Sequence, residues 1–408
     1  MDYLLDRYIY SFLPFTITDE WKQSINFLGI SIVRIADWFC KTQDIWEFYS
    51  SHTNFLCAEI LYPLLAFVVF IHAYRHGGRY VYTWLGIYIC QFVFGIALAL
   101  DFSPTLNICW NAQGLLTFFG SRIPLSTVFG ANQVFLYIAY VFVQRMYLPL
   151  WAQATATGLG LILLKLPYLI IEMYLFLVFD AFFAQSFVYI LQIARSVMLY
   201  ETYDWKKFFR EFCCAFSAGV LSFWLSLAVL SALSAVSQLC QISIGITVCL
   251  LFSLFAIAVY IVDRRNPTLD AHSGNAYWFD ELSLAACVHF IFIIILSLVV
   301  SPSNIVSVGL HQPLGTFETK DRHLNGSHSS YFDFHCLPGG KMENYEYGLE
   351  WYAVCGTPFH NRTEYSIVLS AYCLLASIIL YQAAAASGKT PHVYQLVYGS
   401  TLGGKKTK

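Results

Sequence analysis

Long apolar runs, interrupted by short polar stretches, set the plan of this chain. The runs lie near 54–74, 80–100, 124–144, 151–171, 176–198, 213–235, 241–262, 283–301 and 365–386. Each is close to the roughly 20 residues a helix needs to cross a hydrocarbon core about 30 Å thick. The runs are apolar on all faces, whereas a membrane barrel strand alternates every second residue. The pattern therefore predicts an all-α fold: a polytopic transmembrane bundle of about nine spans.

What lies between the runs divides the chain further. Between Trp21 and Phe39, the apolar positions Ile25, Leu28, Ile32, Ile35 and Phe39 recur at helical spacing, with Lys22, Arg34 and Asp37 among them. Residues 1–50 thus read as an amphipathic segment lying on the membrane surface. Residues 51–386 form the bundle and 387–408 a polar tail. Residues 102–121, broken by Pro104 and Gly120, read as an interfacial or re-entrant piece. The Ser, Ala and Gly content of 213–235 and 241–262 lets helices approach closely, so these two runs are expected deep in the bundle. No internal repeat is visible, which leaves an inverted-repeat transporter architecture without support.

Composition agrees with the pattern. The chain is 58% hydrophobic and only 12% charged, against about 25% charged in soluble domains. A net charge of −2 excludes the concentrated basic surface that a nucleic-acid partner requires. The lipid bilayer is the partner the composition names. The N-terminus begins acidic, with Asp2 and Asp6, unlike the basic start of a signal peptide, so entry relies on the first span.

Charge also orients the bundle. The largest polar stretch, residues 301–362, carries two acceptor sequons, Asn325-Gly-Ser327 and Asn361-Arg-Thr363, and two of the twelve cysteines, Cys336 and Cys355. Placing it in a lumenal or extracellular space leaves Arg75, Arg79, Arg145, Lys206, Lys207, Arg210, Arg264 and Arg265 in cytosolic loops, as the positive-inside rule requires. The C-terminus is then cytosolic. Asn325 is the better glycosylation candidate, because Asn361 sits a few residues from the last span. Cys336 and Cys355 are expected to form a disulfide that closes this insert, which contributes about 3 kcal/mol in the loop-entropy account. His311, His323, His328, His335 and His360 also fall here. Their spacings fit no metal template, and no metal site is expected. Lys405 and Lys406, at the fourth and third positions from the carboxyl end, resemble a dilysine retrieval signal of endoplasmic-reticulum membrane proteins, so that membrane is favoured, with the plasma membrane as the alternative.

The candidate chemistry lies in the lumenal half of the bundle. His52 and Glu59 fall in span one, Asp101 closes span two, and Arg122 and Asn132 belong to span three. Lys165 and Glu172 end span four, and Asp180 lies in span five. A charge at the bilayer centre costs roughly 3 kcal/mol on insertion scales, so such groups face a partner or a water-filled cavity. The functional reading is a lumen-facing polar pocket. Glu59, Asp101, Glu172 and Asp180 serve there as acid/base groups or cation ligands, with His52, Arg122, Asn132 and Lys165 lining it. The bland reading has several of these groups wet at span ends and Lys165 paired with Glu172. On the cytosolic side, the compact basic turn His72-Ala-Tyr-Arg75-His76-Gly-Gly-Arg79 reads as a stop-transfer turn with glycines for flexibility, the alternative being a site for a lipid or nucleotide phosphate. No nucleotide-binding glycine loop, nucleophile elbow or zinc-protease helix is present, and no cofactor is named by the sequence.

The stretch His52-Thr-Asn-Phe-Leu-Cys-Ala-Glu59-Ile-Leu-Tyr-Pro63, with the Arg145-Met-Tyr-Leu-Pro149 turn, resembles an uncharacterised animal multi-pass membrane family that carries a domain of unknown function. That resemblance implies no activity. Three readings follow from the residues: a membrane-embedded enzyme acting on a lipid-like substrate, which leads narrowly; a transporter or channel for an ion or small solute; and a non-catalytic factor that binds a partner protein.

Overall fold

The computed structural model describes residues 27–29, 31–32, 35–36, 38–43, 45–99, 109–110, 114–119, 123–146, 148–169, 174–198, 204–264, 280–300, 306–309, 315–324, 327–336, 352–355 and 361–385. In chain order the helices are α1 (Ile45–His76), α2 (Arg79–Ala99), α3 (Asn132–Gln144), α4 (Leu150–Leu169), α5 (Tyr174–Val197), α6 (Asp204–Cys240), α7 (Ile244–Arg264), α8 (Glu281–Val299) and α9 (Arg362–Ala385). A helix stands at each position where the apolar pattern places a span. Among the described residues, six helical stretches are long and apolar enough to cross a membrane: Thr53–His76, Leu177–Val197, Phe209–Cys240, Ile244–Asp263, Glu281–Val299 and Arg362–Gln382. The protein is a helical, multi-pass membrane protein.

The axis of the bundle is α3, although it is short. Every residue from Val134 to Val143 is buried, because α1, α2, α4 and α9 all pack on it. A helix apolar all round needs such a surround. Preceding it, a π-helical turn at Thr127–Ala131 runs tight against α1. A Cβ added at Gly130 would meet the backbone carbonyl carbon of Tyr62 at 2.8 Å. Backbone does not rotate away, so Gly130→Ala is expected to cost about 1–3 kcal/mol by overpacking, read as a lower unfolding temperature in detergent. Between α1 and α2, Gly77 and Gly78 have φ of 63° and 47°, a left-handed geometry open to glycine. The link is a shaped tight turn, where the sequence suggested glycines for flexibility.

The expectation that both Ser/Ala/Gly-rich runs lie deep is half right. On α6, Ala215 meets Gly86 of α2 so closely that a Cβ at Gly86 would stand 2.6 Å from the Cβ of Ala215. The stretch Ile244–Asp263 of α7, by contrast, is 11% buried, against 67% for Leu177–Val197 of α5. Small residues permit close approach but do not supply a neighbour, and α7 packs on α4 and α6 from one side only.

The all-α expectation also needs amending, since three small sheets join the helices. The strands are β1 (Cys40–Thr42), β2 (Cys109–Trp110), β3 (Leu116–Phe118), β4 (Ile123–Pro124), β5 (Val306–Gly309), β6 (Gly315–Leu324), β7 (Ser327–Cys336) and β8 (Tyr352–Cys355). One sheet runs β1-β3-β4, a second β2-β5-β8, and β6 pairs with β7. The described parts of 102–121 include two short strands, β2 and β3. The antiparallel pairing of Cys109 with Gly309 ties this segment to the polar insert, on the same end of the bundle. At the N-terminus, the described positions between 27 and 39 are helical, with Phe27, Leu28, Ile32 and Ile35 exposed. The first span's helix begins at Ile45, within the stretch read as the N-terminal segment.

Candidate functional site

Polar side chains inside the bundle fall into two layers, one at the middle of α1 and one at its C-terminal end. The layer nearer the insert holds the predicted groups whose side chains are described. Lys165 of α4 pairs with Asp180 of α5, and both are buried. Among the described residues the partner is Asp180, across the α4–α5 connection; the Glu172 suggested from spacing lies outside them. Glu59 of α1 is buried. Its Oε2 accepts the backbone N–H of Leu115 at 2.6 Å, while Oε1 has no hydrogen-bond partner among the described residues. The strand segment lies so close over this carboxyl that a Cβ at Gly114 would sit 2.6 Å from Oε1.

A residue that the sequence reading passed over joins these groups. His289, in the middle of α8, is fully buried. Its Nε2 lies 2.9 Å from the Leu164 carbonyl and its Nδ1 3.2 Å from the Tyr62 hydroxyl. A carbonyl only accepts, so Nε2 carries the proton and Nδ1 of the neutral ring accepts from Tyr62. Tyr62 is one turn along α1 from Glu59, and Leu164 adjoins Lys165. Four helices, α1, α4, α5 and α8, thereby bring Glu59, Tyr62, His289, Lys165 and Asp180 to neighbouring levels. An ionisable side chain in the centre of an apolar span is itself a signal, and His289 was legible on that ground.

Of the other predicted site residues, Asp101, Arg122 and Glu172 lie outside the described residues, as do Asn325, Lys405 and Lys406. His52 belongs to α1 and Asn132 opens α3, and their side chains lie outside the description. Cys336 ends β7 and Cys355 ends β8; the same holds for their side chains. Asn361 caps α9: its Oδ1 accepts the Glu364 N–H at 3.2 Å, and its Nδ2 lies 3.3 Å from Glu364 Oε2. The side-chain oxygen thus caps the first turn, and the side-chain amide nitrogen is engaged by Glu364.

The second layer, at the C-terminal end of α1, packs beside the turn read from His72–Arg79. His72 is buried. Its Nδ1 lies 3.2 Å from the Tyr137 hydroxyl of α3, its ring stacks on His76 at 4.1 Å, and its Nε2 stands 3.9 Å from Asp280. Asp280 accepts from Arg145 and caps α8 through the Ser283 N–H at 2.9 Å. Arg75 pairs with Glu281 beside it; with 66% of the arginine side chain exposed, that pair is worth little. Nearby, Arg195 of α5 donates to Glu211 of α6 at 2.8 Å, to the Tyr140 hydroxyl at 3.2 Å and to Thr83 of α2 at 3.1 Å. Gln153 accepts from Gln144 and Gln192, each at 3.1 Å. Between the two layers, the buried face of α1 is apolar, with Leu65, Ala66 and Val69.

Asp280 lies just outside the span that follows it. Burial alone would raise its carboxyl, but hydrogen bonds from Arg145 and the Ser283 N–H override that and hold it below the usual carboxylate range. A depressed folded-state pKa gives stability that is present above the unfolded value of about 4 and is lost as pH falls through the folded value. Asp280→Asn is therefore expected to lower the unfolding temperature at pH 7. The gap to the wild type should close as pH is taken below the carboxylate range, as followed by thermal melts in detergent.

A buried, ion-paired core inside a bundle of apolar helices defines an integral membrane protein with a polar interior. The chain belongs to the family described as a domain of unknown function (DUF7802), whose model matches residues 1–177 and 173–385. No curated protein and no solved structure matches the chain.

Proposed function

We propose that this protein is a membrane carrier for a proton or small cationic solute. Its site is the layer formed by Glu59, Tyr62, Lys165, Asp180 and His289. The observation that carries this reading is the enclosed Lys165–Asp180 pair, linked through Leu164 to His289. Ionisable groups held in a bundle interior mark ion pathways and proton relays, and a carboxylate paired with lysine can exchange that partner for a cationic cargo. The apolar step at Leu65, Ala66 and Val69 separates the site from the far end, where the Arg145–Asp280 pair acts as a closure.

The test is a pH jump on proteoliposomes adsorbed to a solid-supported membrane. Wild-type protein is expected to displace charge. Asp180→Asn is expected to be silent, and so is Lys165→Met combined with Asp180→Leu, which removes the pair without stranding a charge. A wild-type signal no larger than that of protein-free liposomes, or one undiminished in the folded double variant, would end the carrier reading.

The enzyme reading keeps one favourable observation: Oε1 of Glu59 has no hydrogen-bond partner among the described residues, which leaves an acid/base position for a lipid-like substrate. Lipid profiling of cells lacking the protein separates it from the carrier. Within either reading the topology we propose is the same. About nine spans place the insert in the lumen, glycosylated at Asn325 and closed by Cys336–Cys355, with the tail cytosolic and Lys405 and Lys406 returning the protein to the endoplasmic reticulum. Asn325→Gln is expected to remove the endoglycosidase-sensitive shift on a gel, whereas Asn361→Gln leaves it.

A further inference from the structure

Between Tyr62 and His72 the buried face of α1 is apolar, but the interface of α4 with α5 is not. These two helices pack along each other and run antiparallel, as three contacts show. Lys165 meets Asp180, Gly158 lies against Gln185, and Gln153 accepts from Gln192 at 3.1 Å. At a rise of about 1.5 Å per residue, Gly158 stands roughly 10 Å along α4 from Lys165 and roughly 8 Å from Gln153. Gln144 of α3 donates to the same Gln153 oxygen at 3.1 Å, and the next residue, Arg145, belongs to the pair with Asp280. Polar contacts thus step from the first layer to the second along one helix interface.

The middle step is an amide seated where a side chain could have been. A Cβ on Gly158 would stand 2.6 Å from Gln185 Cγ and 2.7 Å from its Nε2, so glycine at 158 is what admits the Gln185 amide to the interface. Nε2 is buried and has no hydrogen-bond partner among the described residues. A buried amide nitrogen is ordinarily paired with protein or with water. The amide as a whole offers two donors and an acceptor, which suits a water molecule or the hydration shell of a small cation.

We propose that a narrow water-accessible path runs between α4 and α5, with the Gln185 amide as its middle station and the Gln153–Gln192 contact as its exit toward the Arg145–Asp280 closure. That the path conducts a cation released from Asp180 rests on the carrier reading. That water reaches Gln185 does not.

The experiment pairs chemical access with transport, on the full-length protein in proteoliposomes. Gln185→Cys and, as a control on the outer surface of α5, Tyr189→Cys are treated with the small cation 2-aminoethyl methanethiosulfonate. Modification is timed by mass spectrometry of the peptide that holds each position. Thiols react as thiolates, which water favours and hydrocarbon does not, so position 185 is expected to react about tenfold faster than position 189, or more. Native Cys373, buried on α9, serves as a second slow control. Gln185→Leu keeps the bulk and deletes the amide. Its unfolding temperature is expected to match or exceed that of the wild type, while charge displacement after a pH jump falls about tenfold. Fast reaction at 185 in a protein whose wild type displaces no charge would leave the path standing and remove the carrier. Reaction at 185 no faster than at 189 would overturn the path, and a wild type that still displaces charge would keep the carrier. Fast reaction at 185 with undiminished displacement by Gln185→Leu would overturn the amide's place as a station.

Discussion

Replacing Lys165 by methionine while Asp180 stays in place is expected to lower the unfolding free energy by about 3–5 kcal/mol, the usual result of stranding one member of a buried pair. Asp180 is enclosed by the bundle and its carboxylate is met by the lysine ammonium. Without that partner it must either stay charged in a low-dielectric interior or take up a proton, and both are costly. The companion variant, Lys165→Met with Asp180→Leu, is expected to recover most of the loss. Apolar replacement of a whole buried pair is often neutral or stabilising. Thermal unfolding in detergent, followed by the loss of the monodisperse peak, measures both. If the single variant melted with the wild type, the pair would not be holding α4 to α5. If the double variant were as stable as the wild type yet silent in the charge-displacement assay, the ions would be retained for function, since their removal would leave the fold intact.

How much of this could be read from the chain depends on the range of the interaction. Spans were legible because each is a local property: the apolar run at 283–301 needs no partner to announce itself, and α8 occupies it. Depth in the bundle was not, because it is set by neighbours. The small residues of 241–262 suggested burial, yet α7 lies at the edge. Glu59 and Asp180 were found because a charge flanked by apolar residues is conspicuous. Their partners were not found, since Lys165 meets Asp180 from 15 positions away, where spacing had suggested the nearer Glu172. The Arg145–Asp280 pair joins residues 135 positions apart, and nothing in the spacing of either announces the other. The hairpin of the insert had a local signal that went unused: Asn325-Gly326 between two polar-apolar alternating stretches favours a tight two-residue turn, and β6 pairs with β7 on either side of it.

The second large effect is expected at Arg195, which binds more elements than any other side chain in the far layer. Its Nε donates to Glu211 of α6 at 2.8 Å, one amino group to Tyr140 of α3 at 3.2 Å, and the other to Thr83 of α2 at 3.1 Å. The Arg195 carbonyl in turn accepts from Arg210 at 2.8 Å. Only 9% of the Arg195 and Glu211 side chains is exposed, so Arg195→Met leaves a buried carboxylate without this cation and two hydroxyls without this donor. The expected cost is about 3–5 kcal/mol. Lysine restores the charge but not the planar fork that reaches three helices at once, so Arg195→Lys should recover only part of the loss. A double variant, Arg195→Met with Glu211→Leu, removes the stranded charge and should stand above Arg195→Met alone. Tyr140→Phe, which deletes one neutral acceptor of a charged donor, should cost about 1.5–3 kcal/mol at most. If Arg195→Lys melted with the wild type, charge alone would suffice at this junction. A loss as large as that in Arg195→Met would instead mean that the fork, by joining α2, α3 and α6 to α5, is what closes this end of the bundle.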